Sequence, residues 1–332
     1  MKKYVAYGIG AALVDTEIKV QDAELAQMNV EKGLMTLVDE DRRRELLDHL
    51  KGHLIKANHA SGGSAGNSMI ATAQFGGPTF MSCKVANDSD GDIYIADLEA
   101  AGVDHCLKGE RAAGTTGKCL VLITPDAERS MNTFLGISET LSIEQLDAGA
   151  IAASEYVYLE GYLVTSPTGR AAAIKAREIA EAAGVKTALS FSDPGMVEFF
   201  RDGMTEIIGD RLNLVFCNED EALGWAQGDS LDVAVERLKA IADTFVITRG
   251  SDGALTFDGT ALVEIPAHKV HAVDTNGAGD MFAGAFLYAI TKGEDFPTAG
   301  RFASLAAGKV VANYGPRLPA EDYRALRSEF FG

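Results

Sequence analysis

The chain has 332 residues, of which 47% are hydrophobic and 23% charged, and its formal net charge is −18. This length allows one or two domains with a large core, and the composition is typical of a globular protein. The negative charge argues against nucleic-acid or anionic-membrane partners, because both need clusters of basic side chains.

The N-terminal stretch "MKKYVAYGIGAALVD" has two lysines and then an apolar run, as a signal peptide does. The run stops at Asp15 without a clear cleavage site, so we expect a first β-strand followed by a glycine turn. No segment approaches the ~20 apolar residues of a membrane span. The cysteines show neither a C-x-x-C pair nor a disulfide framework and are expected to be reduced thiols of a cytoplasmic protein: Cys83, Cys106, Cys119 and Cys217.

Strand-like apolar runs alternate with helix-like segments along most of the chain. A glycine turn at "HASGGSAGN" opens a helix, and "PTFMSCKV" and "SDGDIYIADLEAAGV" then predict a strand and a helix. The same order returns in "SEYVYLEGYL", "SPTGRAAAIKAREIAEAAG" and "VKTALSFS", and again in "LNLVFCN", "EDEALGWAQG", a helix at about 230–242 and "TFVITRG". This alternation predicts an α/β fold with a mainly parallel sheet and helices on both faces.

Two segments break this alternation. Residues 15–38 and 110–136 contain short runs of period-two patterning, such as "GLMTLVD" and "TTGKCLVLIT", without intervening helices. Such runs are typical of an antiparallel sheet with one exposed face. We therefore expect an α/β body formed by 1–14, 39–109 and 137–332, and a small discontinuous β-sheet lid formed by 15–38 and 110–136.

Glycine-rich and polar motifs follow several predicted strands. Ligands of open α/β sheets bind beyond the carboxyl ends of the strands, where we place Asp15, Gly62 to Asn67, Asn218 to Glu221, Thr248 to Gly253 and Asp274 to Asp280. The run "GIGAAL" matches only the start of a dinucleotide-binding G-x-G-x-x-G, and no Walker phosphate-binding sequence is present. A dehydrogenase and a P-loop enzyme are therefore both disfavoured.

The motifs taken together resemble those of the ribokinase (PfkB) family of carbohydrate kinases. "DTNGAGD" is similar to the C-terminal signature of that family, and "SGGSAGN" with "QFGG" to its N-terminal one. "NEDE" resembles its N-x-x-E motif, and "TRGSDG" its nucleotide loop. The resemblance implies a ribokinase-like α/β body with a small β lid, and transfer of the γ-phosphoryl group of ATP to a hydroxymethyl group.

Phosphoryl transfer requires a base, donors for the phosphoryl oxygens and neutralisation of charge. The carboxylate of Asp280 would be the base, and the amides of Asn276, Gly277, Ala278 and Gly279 at a helix start would bind the phosphoryl oxygens. Glycines at 277 and 279 would leave room for the phosphate.

A second group of residues is predicted to bind the nucleotide and its metal ion. Asn218 and Glu221 lie three residues apart, on one face of a helical turn, and would organise Mg²⁺ through water. Taken by themselves, the two would more readily be read as an ordinary solvated helix start. The resemblance implies that ATP is contacted by Thr248, Gly250, Gly253 and Ser304. It also suggests K⁺ as a further cofactor, beside the loop of residues 274–279, which we call the anion loop.

Within the family, the segments "TPDAERSMNTFLG", "YLEGYLVTSP" and "SFSDP" are most similar to those of adenosine kinases. The resemblance implies that Asp15, Gly63 and Asn67 bind a ribose, and that Arg129 approaches the transferred phosphate. Met131, Leu135 and Tyr162 would pack against the nucleobase, although core packing is an equally good reading of these three.

Two positions depart from the adenosine kinase pattern, because Ala11 replaces an asparagine and Gly195 an aromatic residue. Inosine, guanosine or another ribosyl compound therefore stays open as the acceptor. A free-sugar kinase and a nucleoside-binding regulator without catalysis are the rival readings. The regulator would be expected to lack Asp280, which is present. We expect a monomer or homodimer.

Overall fold

The computed structural model describes residues 2–53, 58–126 and 128–332. Residues 1, 54–57 and 127, which fall within the predicted ranges and motifs, lie outside this part. The strands are β1 (Tyr4–Ile9), β2 (Leu13–Lys19), β3 (Met35–Leu37), β4 (Asn58–Gly62), β5 (Thr79–Ser82), β6 (Val103–His105), β7 (Gly117–Ile123), β8 (Arg129–Phe134), β9 (Ser154–Glu160), β10 (Lys186–Ser190), β11 (Leu212–Asn218), β12 (Ala242–Thr248), β13 (Ala254–Phe257) and β14 (Leu262–Ile265).

The helices that were predicted from the sequence lie close to their predicted segments, and the structure adds others that were not predicted. They are α1 (Asp22–Gln27), α2 (Glu40–His49), α3 (Ser64–Gln74), α4 (Ser89–Ala100), α5 (Ala148–Ala152), α6 (Pro167–Ala182), α7 (Pro194–Phe199), α8 (Arg201–Ile208), α9 (Glu219–Ala226), α10 (Leu231–Ile241), α11 (Ala278–Thr291), α12 (Phe296–Val311) and α13 (Ala320–Phe331). No helix of the described residues is long and apolar enough to cross a bilayer.

The described residues form one large sheet in the order β14-β13-β12-β11-β10-β9-β1-β5-β6. Pairing is parallel from β12 to β6, and only β13 and β14 are antiparallel to their neighbours. The central strand β1 is buried along its whole length, which is typical of a sheet covered by helices on both faces. The predicted α/β fold is confirmed.

Side chains of the large sheet alternate between two hydrophobic cores. In β9, Tyr156 and Tyr158 belong to the core that contains residues of α3, α11, α12 and α13. Val157 and Leu159 belong to the opposite core, under α5 to α10. This period of two follows from the pleat of a strand, and it is why the buried strands read as nearly continuous apolar runs.

The second sheet has the order β3-β8-β7-β2-β4 among the described residues. The predicted segments 15–38 and 110–136 supply most of it, but the expected antiparallel pairing is wrong in part, because β2 pairs with β7, and β3 with β8, in parallel. The sheet also contains β4, which we had assigned to the body. The expectation of no helix is wrong too, since α1 lies within 15–38.

Candidate active site

A cleft of about 1210 Å³ lies between the small sheet and the carboxyl ends of β9, β10, β11 and β12. Parallel strands direct these ends to one edge of the sheet, which is where α/β proteins bind ligands. The cleft is lined by every site residue predicted from the sequence, namely Asp15, Gly63, Asn67, Arg129, Met131, Leu135, Tyr162, Asn218, Glu221, Thr248, Gly250, Gly253, Asn276, Gly277, Ala278, Gly279, Asp280 and Ser304.

Asp280 lies in the first turn of α11, where the helix dipole favours a negative charge. Ser64 Oγ donates a hydrogen bond to its Oδ1 (2.7 Å), and Asn67 Nδ2 donates to its Oδ2 (3.0 Å). Burial raises the pKa of Asp280, whereas these two hydrogen bonds and the charge of Arg129 oppose the rise. The result is a fixed and partly desolvated carboxyl group at the centre of the cleft.

The backbone before α11 forms a loop with unused amide groups. Gly277 has φ +71° and ends the loop in the left-handed region. A Cβ at Gly277 would lie 2.6 Å from Pro316 Cα, whereas one at Gly279 would meet no atom within 4 Å. Glycine at 277 is therefore required by the backbone itself and by Pro316, a reason that adds to the predicted one of room for a ligand.

Two amides of this loop remain available for an anion. Among the described residues, the amides of Gly277 and Gly279 donate to no protein group, whereas Ala278 N reaches Thr275 O at 3.3 Å. The amide of Asn276 donates to Asp274 Oδ1 (2.9 Å), so it shapes the loop rather than facing the cleft freely. Free amides at a helix N-terminus are suited to bind phosphoryl oxygens.

Arg129 connects the small sheet to this loop. Its Nε donates to Thr275 Oγ1 (3.1 Å) and its Nη1 to Asn276 Oδ1 (2.8 Å). The guanidinium therefore lies beside the free amides, where a phosphate would gain a charge-assisted contact.

Asp15 is a buried carboxylate on β2, and only 6% of it is exposed. Its Oδ1 has no hydrogen-bond partner among the described residues. Burial, and then the charge of Glu17, raise the pKa of Asp15 to about 7. A buried acceptor that faces a cleft without a partner indicates a ligand that donates hydrogen bonds.

Glycines beside Asp15 make the necessary space. A Cβ at Gly62 would overlap the Asp15 carboxylate. Gly63 has φ +90°, and a Cβ there would overlap Ala11 O. Asn67 is 4% exposed, and its Oδ1 also lacks a partner among the described residues. Asp15 and Asn67 thus present two unsatisfied acceptors in one cleft.

Apolar side chains also line the cleft, most of them on the small sheet that carries Asp15. Met131, Leu135 and Tyr162 line it as predicted, and Leu13, Met35 and Leu37 extend this apolar lining. Leu37 is a large apolar residue, yet 43% of it is exposed. An exposed apolar side chain in a cleft is suited to contact a flat apolar ligand.

Residues 34–322 match the family described as pfkB family carbohydrate kinase. The chain belongs to this family. As a member it is a phosphotransferase that acts on a hydroxyl group, with ATP as the phosphoryl donor.

Relatives match this pfkB chain over nearly all of its length. An adenosine kinase of Saccharomyces cerevisiae is 28% identical over 334 residues, or 94% of this chain and 96% of that protein. The structure of adenosine kinase from Sinorhizobium meliloti is 34% identical, with a TM-score of 0.92 over 98% of this chain and 99% of its own. A probable sugar kinase from Rhizobium etli is 32% identical, with a TM-score of 0.92 over 99% and 100%.

At the other end of the cleft of this pfkB kinase lie the residues predicted to bind ATP. Gly250 has φ +52° and open space around it, so a ligand can approach its backbone. Gly253 has φ +90°, and a Cβ there would overlap Ile265 O. Ser304 Oγ donates to Pro266 O (2.9 Å) and accepts from His268 N (3.1 Å), so it holds the 266–268 loop.

Asn218 and Glu221 form a capping box at the start of α9. Glu221 is buried, and its two carboxylate oxygens accept from Asn218 N (2.9 Å) and Asn218 Nδ2 (3.0 Å). Burial raises the pKa of Glu221 to about 8. Among the described residues no group of three or more His, Cys, Asp or Glu side chains could hold a metal ion. Both carboxylate oxygens of Glu221 already accept hydrogen bonds from Asn218, a donor set that fits an ion held through water near Glu221.

The sequence analysis gave no role to Ser64 or Glu160, which hold other parts of the site in place. Ser64 binds Asp280, as described above. Glu160, at the end of β9, accepts from Ala11 N (3.0 Å) and Ala65 N (2.8 Å), and burial raises its pKa to about 7. Glu160 lies inside "YLEGYL", where a charged residue ending an apolar strand was a signal that could have been used.

Proposed function

We propose that this kinase transfers the γ-phosphoryl group of ATP to the 5′-hydroxyl of a purine nucleoside, with adenosine as the expected acceptor. The observation that carries the proposal is the combination of the buried, unpartnered Asp15 with an apolar wall in the cleft that also holds Asp280. A ribose diol suits the first, and a flat base suits the second. The adenosine kinases among the relatives support the same choice.

In this proposal Asp280 accepts the proton of the attacking hydroxyl group. Asp15 and Asn67 accept hydrogen bonds from the ribose hydroxyls and thereby orient the 5′-carbon towards Asp280. The amides of Gly277 and Gly279, with Arg129, stabilise the charge on the transferred phosphoryl group. Met131, Leu135 and Tyr162 pack against the base, and the segments 15–38 and 110–136 act as the lid.

The proposal includes Mg²⁺, which would neutralise charge on the phosphates when bound. Glu221 would hold one of its waters, and Asn218 would keep Glu221 in place, as the capping box supports. Thr248, Gly250 and Gly253 would contact the nucleotide directly, and Ser304 would act through the 266–268 loop. We further propose a cytoplasmic enzyme, active as a monomer or homodimer, and K⁺ as the monovalent cation to compare in assays.

A substrate panel tests this function. Purified protein with ATP and Mg²⁺ is assayed against adenosine, inosine, guanosine, ribose and fructose, with KCl and with choline chloride. We expect kcat/KM to be highest for adenosine. The probable sugar kinase among the structural neighbours makes a free-sugar kinase the second candidate. Higher kcat/KM for ribose or fructose than for any nucleoside would replace our proposal with that one.

A further inference from the structure

The loop between α12 and α13 touches the anion loop at two successive residues. Gly315 N donates to Asp274 Oδ2 (2.9 Å), the carboxylate whose other oxygen accepts from the amide of Asn276. Pro316 packs directly against Gly277, as the space for a Cβ at Gly277 shows. The shape of the anion loop therefore depends on the placement of residues 315 and 316.

The next residue, Arg317, contacts β4 and α4. Its Nη2 donates to Ser61 O (3.0 Å) and pairs with Asp97 Oδ2 (2.7 Å), and 15% of its side chain is exposed. Ser61 Oγ also donates to Asp97. Ser61 immediately precedes Gly62, over which the Asp15 carboxylate lies. Arg317 therefore fixes the peptide that supports Asp15.

We propose that Arg317 is a positioning residue that keeps Gly62, and with it the acceptor-binding residue Asp15, in register with the anion loop. One stretch of three residues, 315–317, then sets the position of both reacting groups. This inference rests on the proposed role of Asp15 in acceptor binding. A displacement of about 1 Å between two reacting groups is enough to lower a rate by about 10²-fold, so such a link matters for catalysis.

The charge of Arg317 adds a second effect. The charged and titratable groups around Asp15 are Glu17 on β2, Asp280 on α11, Arg129 on β8, Cys119 on β7 and Arg317 itself. Burial and Glu17 raise the pKa of Asp15, and Arg317 is the largest influence that lowers it. Without Arg317 the pKa of Asp15 rises further, so Asp15 loses its charge at a higher pH.

The test compares Arg317→Gln and Arg317→Lys with a matched control, Arg177→Gln. Arg177 is similarly buried and, like Arg317, does not line the cleft, but it lies on α6 and pairs with Glu181 of the same helix (2.8 Å). For each variant, kcat and both KM values are measured from pH 6 to 9 with the acceptor that the substrate panel identifies. Melting temperature is recorded in parallel.

We expect Arg317→Gln to raise acceptor KM by about 10-fold and to lower kcat, with KM for ATP within about 2-fold. The acid limb of acceptor kcat/KM should move up by about half to one pH unit. Arg317→Lys keeps the charge but cannot make both contacts, so its acid limb should stay in place while acceptor KM rises about 3-fold. Arg177→Gln should match the wild type.

The inference is overturned if Arg317→Gln lowers only kcat and melting temperature, as a merely structural residue would. If that variant is too unstable to assay, an unchanged acceptor KM in Arg317→Lys overturns it instead. Asp15→Ala separates the two proposals, since unchanged acceptor KM in that variant would refute the role of Asp15 itself and the inference with it.

Discussion

Individual residues of the cleft differ in how readily the sequence alone predicts their place in the site. Asp280 and Gly277 stand within one short motif, so local spacing was enough to select them. Ser64 contacts Asp280 across more than 200 residues of chain, and Arg317 contacts Ser61 across a similar separation. No local pattern marks such long-range partners, because only the folded sheet brings them together.

At the scale of a residue, Asp280→Asn should remove the base. We expect kcat to fall by about 10²–10⁴-fold, because an amide cannot accept the proton, while acceptor affinity changes little. Steady-state kinetics and calorimetric titration of the acceptor provide the measurements. Asp295→Asn is the control, because it changes a remote helix cap to an equally good one. Turnover of Asp280→Asn at the wild-type level would contradict the role.

Asp15 should lower the stability of the free protein as it ionises. Its folded pKa of about 7 lies above the ordinary aspartate value of 3.8, so the folded state holds the proton more tightly than the unfolded state does. Stability is therefore lost as pH rises from about 4 to about 7. Asp15→Asn should raise the free energy of unfolding by about 1–3 kcal/mol at pH 8, and by less at pH 5.

Urea denaturation at pH 8 and pH 5 measures this difference. Because acceptor binding needs the carboxylate, the same variant should bind the acceptor more weakly although it is more stable. An equal change in stability at both pH values would show that the carboxyl group does not titrate as its burial implies.

Among the elements, the strands of the large sheet were predictable because a strand buried on both faces is a nearly continuous apolar run in the sequence. The helices that cover this sheet were predictable because they alternate with these strands. The small sheet was predicted less well. Its strands come from three separated parts of the chain, and β4 pairs with β2 rather than with a neighbour in sequence. Parallel pairing of β2 with β7 also depends on tertiary packing, which period-two patterning does not report.

The start of α11 allows two glycines to be distinguished. Gly277→Ala should lower the free energy of unfolding by about 1–3 kcal/mol, because φ is positive and Pro316 blocks the Cβ. Gly279→Ala should leave stability unchanged or raise it by about 0.5–1 kcal/mol, since alanine favours a helix and the space is open.

Both substitutions should lower kcat, because both alter the surface that faces the phosphate. Urea denaturation and steady-state kinetics separate the two effects. If Gly279→Ala retained full activity, the free amide at that position would not face the transferred group.

At the scale of the whole molecule, the described residues form two sheets that meet at the cleft, and Arg129 links the small sheet to the loop before α11. We expect an acceptor together with a non-hydrolysable ATP analogue to slow amide hydrogen exchange in β7 and β8, while β1 and β9 remain unchanged. Slowing should be weaker in Arg129→Ala, which loses the bonds to Thr275 and Asn276.

Hydrogen exchange followed by mass spectrometry reads out each strand. Arg44→Ala is a suitable control, because Arg44 is exposed and forms its ion pairs only within α2. Equal slowing in the wild type and Arg129→Ala would show that the two sheets approach one another without this link.

The carboxylate of Asp15 occupies the volume that any side chain at Gly62 would need. A larger residue at 62 can be accommodated only if residue 15 becomes smaller or turns away. Positions 15 and 62 should therefore co-vary among related sequences. Screening of random libraries should accordingly recover substitutions at position 62 only in clones in which Asp15 has also been replaced.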